Sequence, residues 1–301
     1  MVQEHFLDRV RGLDTEILPG EPMSGRTTFR IGGPADIFLL PASVEALRAV
    51  LAAAAEEQVP VSLMGAGSNL LVRDGGVRGA VISTRRLTGV TAAGAEITAE
   101  CGIPLPSLAL AARDLGLAGL EFAQGIPGSF GGALCMNAGA YGGEIGPLVR
   151  WVDACTPDGT PVRLGPEQLG FGYRKSVFSD GTMIALRACL HLIPGSREEI
   201  TARMEDYAAR RKASQPLELP SAGSTFKRPE GYYAGKLISD AGLKGLRVGG
   251  AQVSEKHAGF VVNTGGATAA DVLALCAKIT ETVRERFGVT LEREIKVIGE
   301  E

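Results

Sequence analysis

Apolar residues follow two different periods along this chain, and the changes of period predict where helices and strands lie. Helical spacing with capping signals predicts helices at residues 44–57, 105–115, 197–212, 234–241 and 268–287. Short runs rich in apolar and β-branched residues predict the strands, and the run at 61–64 is predicted to be buried. These runs fall at residues 27–30, 37–40, 61–64, 70–72, 80–83, 89–91, 96–99, 149–155, 161–164, 182–192, 250–254, 259–262 and 289–298.

The order of these elements changes near Pro194. Before it, strands dominate and include a hairpin with Pro157-Asp158-Gly159 as its turn. After it, helices and strands alternate, beginning with a capping box at residues 196–199. We therefore place a domain boundary near Pro194. Two or three packed units suit a chain of 301 residues.

Composition and charge exclude several classes of protein. A content of 45% hydrophobic and 22% charged residues is typical of a soluble globular protein. A net charge of −3 gives no electrostatic footprint for nucleic acid, and 5% aromatic residues offer few stacking platforms, which leaves only a local basic pocket open. No apolar run reaches membrane-spanning length, and residues 1–10 lack the apolar core of a signal peptide. The cysteines lack a C-x-x-C pair and the histidines lack metal-ligand spacing, so we expect reduced thiols and no metal.

A glycine-rich segment, here called the glycine cradle, spans residues 124–144 and reads QGIPGSFGGALCMNAGAYGGE. Glycine allows positive φ and close approach of the backbone, so several N–H groups can converge on a negatively charged group. An extended anionic ligand, most simply a pyrophosphate, suits such a backbone. A surface linker is the alternative, but linkers lack apolar anchors such as Phe130, Leu134 and Met136. The cradle is therefore predicted to hold a ligand.

Two shorter glycine turns precede the cradle, at residues 30–33 and 65–69. The second, GAGSN, lacks the third glycine of a Rossmann fingerprint and the Lys-Ser/Thr pair of a P-loop. Alone it is weak evidence. Three glycine loops in the first two thirds of the chain nevertheless indicate that several loops wrap one long ligand, and FAD fits that description.

Three side chains further along the chain could be catalytic, but the residues alone do not decide between a catalytic and a structural role for any of them. Arg174, in GFGYRKS, could clamp a carboxylate, but a surface arginine is equally well supported. Ser224 has no implied His or Asp partner, so a turn serine is favoured over a proton donor. Glu294 alternates with apolar residues on the last strand, and a solvated carboxylate is favoured over one with a perturbed pKa.

Taken in order, these segments resemble the bacterial UDP-N-acetylenolpyruvoylglucosamine reductases over nearly the whole chain. The motifs are TTFRIGG at 27–33, GAGSNLL at 65–71, IPGSFGG at 126–132 with MNAGAYG at 136–142, GYRKS at 172–176, GSTFK at 223–227 and EREIK at 292–296. The resemblance implies an α+β fold. Residues 1–194 would form an FAD-binding module of the vanillyl-alcohol-oxidase (PCMH) type, with two α+β subdomains split near 65–75. Residues 195–301 would form a C-terminal α+β substrate-binding domain, whose final strand, 289–298, returns to the active site.

The resemblance also implies a cytoplasmic, monomeric enzyme that uses NADPH to convert UDP-N-acetylglucosamine enolpyruvate to UDP-N-acetylmuramate, a peptidoglycan precursor. Reduced flavin would deliver hydride from N5 to the vinyl carbon, Ser224 would donate the proton, and Arg174 and Glu294 would stabilise the enolate. Glu294 must then be protonated or share a proton, so we expect its pKa to be raised.

The same resemblance implies the binding residues. Because no histidine lies in a glycine loop, FAD is expected to be non-covalent. The implied FAD-binding residues are Arg30, Ile31, Gly32, Gly65, Ala66, Gly67, Ser68, Asn69, Leu70, Gly125, Ile126, Pro127, Gly128, Gly131, Gly132, Asn137, Gly139, Ala140 and Tyr141. Further substrate-binding residues are Tyr173, Gly223 and Lys227.

The chain departs from the family pattern at Arg293, where proline is usual, and at Arg228, where asparagine is usual, which leaves the diphosphate contacts open. The interval between Arg174 and Ser224 looks too short for the tyrosine loop of one subgroup, so we place the chain in the loop-less subgroup. Tyr207 lies on a predicted helix and does not match that tyrosine. Two alternatives stay open: another FAD-linked oxidoreductase of the same flavin fold acting on a hydroxyacid, and a non-catalytic nucleotide-binding module.

Overall fold

The computed structural model describes residues 2–301, with side chains from Glu4 onward, so the first residue of the segment considered for a signal peptide lies outside the described part. Within that part, no helix is both long and apolar enough to cross a membrane. The chain divides into two compact units. Unit 1 comprises residues up to Pro19, Ile37–Ala66 and Gly79–Arg210, and unit 2 comprises Gly20–Asp36, Gly67–Arg78 and Arg211–Glu301.

Seven α-helices and nineteen strands occur in the described part of the chain. The helices are α1 Val2–Val10, α2 Val44–Glu56, α3 Leu105–Asp114, α4 Phe130–Met136, α5 Arg197–Ser214, α6 Ala234–Asp240 and α7 Ala269–Phe287. The strands are β1 Thr15–Pro22, β2 Pro34–Pro41, β3 Val61–Met64, β4 Leu70–Val72, β5 Val77–Ser83, β6 Val90–Ala93, β7 Glu96–Glu100, β8 Leu117–Ala118, β9 Gly139–Ala140, β10 Gly143–Glu144, β11 Val149–Cys155, β12 Pro161–Leu164, β13 Ile184–His191, β14 Ile193–Pro194, β15 Ser221–Ser224, β16 Arg247–Val248, β17 Ala251–Val253, β18 Phe260–Asn263 and β19 Lys296–Ile298. The five predicted helices are confirmed to within two residues at each end.

Unit 1 contains two hydrophobic cores. One lies beneath a sheet of order β1-β2-β5-β3 and joins it to α1 and α2 through buried residues such as Phe6, Leu47 and Ile82. The other lies beneath an antiparallel sheet of order β12-β11-β13-β7-β6 and takes in α3, α4 and the first half of α5. Phe130, the first residue of α4, is fully buried in the second core, which anchors the glycine cradle.

Unit 2 has one core, formed by the antiparallel sheet β15-β18-β17-β16 with α6 and α7. Strand β19 pairs in parallel with β4, a short strand that follows the second glycine turn. Phe29, just before the first glycine turn, and Ile31, within it, are buried in this core as well. The unit is therefore assembled from three separate stretches of sequence.

The division between the units falls inside α5 and gives two N-terminal stretches to unit 2. The sequence instead places the boundary near Pro194 and assigns residues 1–194 to one module. That division into folding domains stays a prediction.

Three predicted strands differ in the structure. Residues 27–30 form a turn, because Arg30 has a φ of 55°, and the alternating burial of Phe29 and Ile31 comes from a loop anchored at both positions. Strand β3 is present but buries only Met64, since it is the last strand of its sheet and leaves Val61 and Leu63 38% exposed. The final strand is regular only over Lys296–Ile298.

Candidate active site

The glycine cradle of unit 1 contains the short capped helix α4. The Ser129 hydroxyl accepts a hydrogen bond from the Gly132 amide at 3.3 Å, which caps α4. The Gly131 amide donates to the Cys101 carbonyl at 2.7 Å. The protein itself therefore uses two amides that were predicted to face the cofactor. Contact of Gly131 and Gly132 with FAD stays a prediction.

Other amides of the unit 1 glycine loops donate to no group in the described part of the chain. They belong to Gly65, Ala66, Gly125, Gly128 and Ser129. Ser129 is a buried residue, and the buried Gln124 Oε1, which the sequence did not single out, likewise has no partner among the described residues. Several amide donors together with a buried acceptor fit the pyrophosphate and polar edges of a flavin dinucleotide.

Gly65 is required by close packing against the cradle. A Cβ at this position would lie 1.9 Å from Ser129 Oγ and 3.0 Å from Ser129 Cβ. We expect Gly65→Ala to lower the free energy of unfolding of the apoprotein by about 1–3 kcal/mol, because the α4 cap must move or be lost. Urea denaturation measures the change.

A second substitution tests that explanation of the Gly65 effect. Adding Ser129→Gly to Gly65→Ala should recover most of the loss, since glycine caps a helix nearly as well as serine. Gly25→Ala is the control, because a Cβ there meets nothing within 4 Å. A double variant as unstable as Gly65→Ala would contradict the proposed clash.

Asn137 connects the cradle to the loop that carries Arg174. It ends α4 in the left-handed conformation, with a φ of 42°. Its Nδ2 donates to Glu144 Oε2 at 3.0 Å and to the Gly172 carbonyl at 3.2 Å, and its Oδ1 accepts from the Gly146 amide at 2.8 Å. The side chain thus organises the site, and its contact with FAD stays a prediction.

Arg174 lies in a tight turn of unit 1. Gly172 and Lys175 exchange both backbone hydrogen bonds, at 2.9 and 3.2 Å, which leaves Tyr173 and Arg174 at the two central positions. Arg174 has a φ of 54°, and its Cζ lies 5.2 Å from the centre of the Tyr173 ring. A left-handed residue other than glycine costs roughly 1 kcal/mol, and such strain is concentrated at functional positions.

A β-bulge in unit 2 sets the direction of Ser224. Strand β15 pairs with β18 through Ser221 opposite Val262 and Ser224 opposite Phe260, which leaves one extra residue in β15. Gly223 has a φ of 76°, as this kind of bulge requires. Because an extra residue shifts the alternation of side chains, the bulge re-aims Ser224, which is exposed.

Thr225 ties the Ser224 segment to the Glu294 segment. The Glu294 amide donates to the Thr225 carbonyl at 2.9 Å, and Thr225 Oγ1 accepts from the Val261 amide at 2.9 Å. Asn69 Nδ2 donates in turn to the Glu294 carbonyl at 3.2 Å. The backbone of Glu294 is thus held on one side by the Ser224 segment and on the other by the second glycine turn.

Thr28, two residues before the first glycine turn, also reaches the Ser224 strand within unit 2. Thr28 Oγ1 donates to the Ser221 carbonyl at 2.7 Å. Lys227, predicted to bind substrate, forms an ion pair with Glu292. Sequence reasoning missed Thr28 and did not foresee the structural role of Asn69. The only available signal was the presence of short polar side chains beside glycine turns.

His257 supports the turn behind Thr225. The Gly259 amide donates to His257 Nδ1 at 3.1 Å, and the Gly259 carbonyl accepts from the Thr225 amide at 2.9 Å. Burial lowers the pKa of His257, with a smaller contribution from the Lys244 charge. A protonated imidazole could not accept the Gly259 hydrogen bond.

The free energy of unfolding should therefore decrease as the pH falls and His257 becomes protonated. Because the unfolded chain binds the proton more tightly, the His257 contribution is complete above its ordinary pKa of about 6.5 and is lost as the pH falls through the depressed folded value. His257→Asn should flatten the stability profile between about pH 7 and 5, since asparagine does not titrate. Urea midpoints across that range measure the slope, with His191→Asn as the control. An unchanged slope in His257→Asn would contradict the assignment.

The cysteines are all free in the described part of the chain. Burial raises the pKa of the Cys101 and Cys276 thiols to about 12 and that of Cys155 to about 11. These thiols are therefore neutral packing groups and not nucleophiles. No cluster of His, Cys, Asp and Glu among the described residues could hold a metal ion.

Comparisons with known proteins agree with this architecture. Residues 35–165 match the FAD binding domain family, and residues 215–298 match the family described as UDP-N-acetylenolpyruvoylglucosamine reductase, C-terminal domain. The reductase of Syntrophomonas wolfei is 47% identical over 282 residues, 93% of this chain and 94% of that protein. That of Caldanaerobacter subterraneus is 48% identical over 299 residues, 99% of each. The crystal structure of the reductase from Thermus caldophilus has a TM-score of 0.81 at 38% identity and covers 95% of this chain and 99% of that chain.

The α+β fold, with its PCMH-type FAD-binding module and its second domain, defines an FAD-dependent oxidoreductase. The chain is an enzyme of that class, and FAD is its cofactor. It belongs to the UDP-N-acetylenolpyruvoylglucosamine reductase family. The family and the fold class predicted from the motifs are confirmed, and the loop-less subgroup stays a prediction.

Proposed function

We propose that this enzyme reduces UDP-N-acetylglucosamine enolpyruvate to UDP-N-acetylmuramate, with NADPH as the reductant, and so supplies a precursor of peptidoglycan. One observation carries the proposal. Each of the three segments that hold a predicted catalytic residue, namely the Arg174 turn, the Glu294 segment and the strand that ends at Ser224, is hydrogen-bonded to a different one of the motifs TTFRIGG, GAGSNLL and MNAGAYG. Asn137 of the cradle reaches the Arg174 turn, Asn69 reaches Glu294, and Thr28 reaches the Ser224 strand.

The chemistry of the side chains supports this reaction. FAD, when bound and reduced, supplies the hydride that the vinyl carbon of the substrate receives. Arg174 binds the substrate carboxylate bidentately and stabilises the negative charge that spreads onto it. Glu294 acts in its protonated form, because a carboxylate would repel the same charge. Ser224 donates a proton to the neighbouring carbon as general acid.

The glycine loops bind the cofactor in this proposal. The amides of Gly125, Gly128 and Ser129 are the donors in the cradle, and Gly65 and Ala66 add two more from the second turn. The remaining predicted FAD contacts, from Arg30 to Tyr141, complete the set, and Tyr173, Gly223 and Lys227 contact the substrate. We further propose that the enzyme is a cytoplasmic monomer of the loop-less subgroup.

Anaerobic mixing tests the proposal. NADPH should bleach the yellow FAD-loaded protein, and UDP-N-acetylglucosamine enolpyruvate should then restore the colour while UDP-N-acetylmuramate forms. Colour that substrate does not restore would contradict the proposal. Bleaching by a hydroxyacid without NADPH would identify a hydroxyacid oxidoreductase of the same fold, and a yellow protein that NADPH does not bleach would identify a binding module.

A further inference from the structure

Helix α5 is attached to the chain just before the first residue of the glycine cradle. Arg203 donates from Nε and Nη2 to Glu121 Oε1 at 3.0 and 2.7 Å, and Glu121 Oε2 accepts from the Gly119 amide at 2.8 Å. Glu121 is buried and lies three residues before Gln124, where the cradle begins. Removal of the arginine would leave a buried carboxylate without its cation, so this contact is a firm attachment of the helix to the cradle.

The same helix is also attached to the cradle near the C-terminal end of the cradle. Tyr207 lies four residues after Arg203 and hence on the same face of α5. Its ring stacks on that of Tyr141, with centroids 4.5 Å apart and planes inclined by 5°, and the Tyr141 hydroxyl donates to the Tyr207 carbonyl at 3.2 Å. Tyr141 was itself among the predicted FAD contacts.

The backbone of Tyr141 needs such support. Its φ is 52°, a left-handed conformation that a bulky side chain rarely adopts unless its surroundings impose it. The stacked ring and the hydroxyl contact are two interactions that oppose relaxation to an ordinary φ. Between the Glu121 and Tyr141 attachments lie the cradle amides of Gly125, Gly128 and Ser129, which have no acceptor among the described residues.

We propose that Tyr207 is a positioning residue for the cofactor. Through its ring it keeps Tyr141, and with it the end of the cradle, in the conformation that binds FAD, while Arg203 fixes the beginning. The inference rests on the proposed function only in that the cradle must hold FAD. Helix α5 would then control the affinity for FAD, although it contains none of the predicted catalytic or binding residues.

FAD binding to the apoprotein, followed by quenching of flavin fluorescence, tests the inference. Tyr207→Ala should raise the Kd for FAD by about tenfold, the upper range of what an aromatic stack contributes. Tyr207→Leu, which keeps apolar bulk without the ring, should raise it by about fivefold and provides a folded variant if alanine is not tolerated. Tyr207→Phe should restore wild-type affinity within about twofold, because the stack and the backbone acceptor both remain.

Two comparisons separate this role from a purely structural one. Glu205→Ala, on the exposed face of the same helix, is the control and should leave the Kd unchanged. A Tyr207→Ala protein with a lower thermal midpoint but wild-type FAD affinity overturns the inference, and so does a phenylalanine variant as impaired as alanine. A wild-type apoprotein that binds no FAD overturns the proposed function as well, which distinguishes the two failures.

Discussion

Replacement of Ser224 by alanine should leave the reduction of FAD by NADPH within about twofold of wild type and slow the reoxidation of the flavin by substrate by about 10²–10⁴-fold, the usual contribution of a positioned proton donor. The two half-reactions separate because Ser224 is assigned only to the step in which the substrate carbon is protonated. The bulge at Gly223 and the contacts of Thr225 hold this part of the backbone, so the substitution should not disturb the fold. Stopped-flow absorbance under anaerobic conditions measures both rates.

Two further variants sharpen the Ser224 experiment. Ser224→Cys keeps a group that can donate a proton and should recover part of the lost rate, whereas Ser239→Ala, on α6, controls for the loss of a serine hydroxyl in unit 2. Equal slowing of both half-reactions in Ser224→Ala would show that the serine positions the cofactor or maintains the fold, and its role as general acid would be wrong.

Arg174→Gly should reduce activity strongly while leaving the free energy of unfolding almost unchanged. We expect kcat to fall by about 10²–10³-fold, as when a donor to a developing negative charge is removed. The free energy of unfolding should stay within about 1 kcal/mol of wild type, because glycine adopts the left-handed φ without strain and loses a similar amount through its freer unfolded chain. Steady-state kinetics and urea denaturation measure the two effects.

Arg174→Lys is the matched control for charge. It keeps the cation and the left-handed strain but loses the planar fork that binds a carboxylate bidentately, so its activity should lie between wild type and glycine. If lysine restored full activity, bidentate recognition would be excluded. If Arg174→Gly lost several kcal/mol of stability, the arginine would be a structural residue.

Much of the fold was predictable because its signals are local. Ser43 and Thr268 cap α2 and α7, and Gly288 ends α7 with a φ of 68°, so residue types that favour helix ends stand at these ends. Strand positions were less secure, because a strand needs a partner that the local sequence does not specify. The run at residues 27–30 predicted a strand, yet Phe29 and the nearby Ile31 anchor a turn that packs against residues far along the chain.

The candidate site was likewise predictable only in part. Glycine density indicated the cradle, and the order of the motifs indicated Arg174, Ser224 and Glu294, which no local pattern favoured. The bonds that organise these residues join positions far apart in sequence, such as Asn69 to Glu294, and neither partner signals the other. The contacts that Arg203 and Tyr207 make beside and within the cradle could not be predicted either, because residues at positions i and i+4 on an exposed helix ordinarily face solvent.

A crystal structure with FAD and UDP-N-acetylglucosamine enolpyruvate bound would test whether Arg174, Ser224 and Glu294 act on one substrate. We expect the Arg174 guanidinium and the Glu294 carboxyl to lie within about 3 Å of the substrate carboxylate and the Ser224 hydroxyl to face the carbon that is protonated. Any of these three side chains directed away from the bound substrate would contradict this expectation.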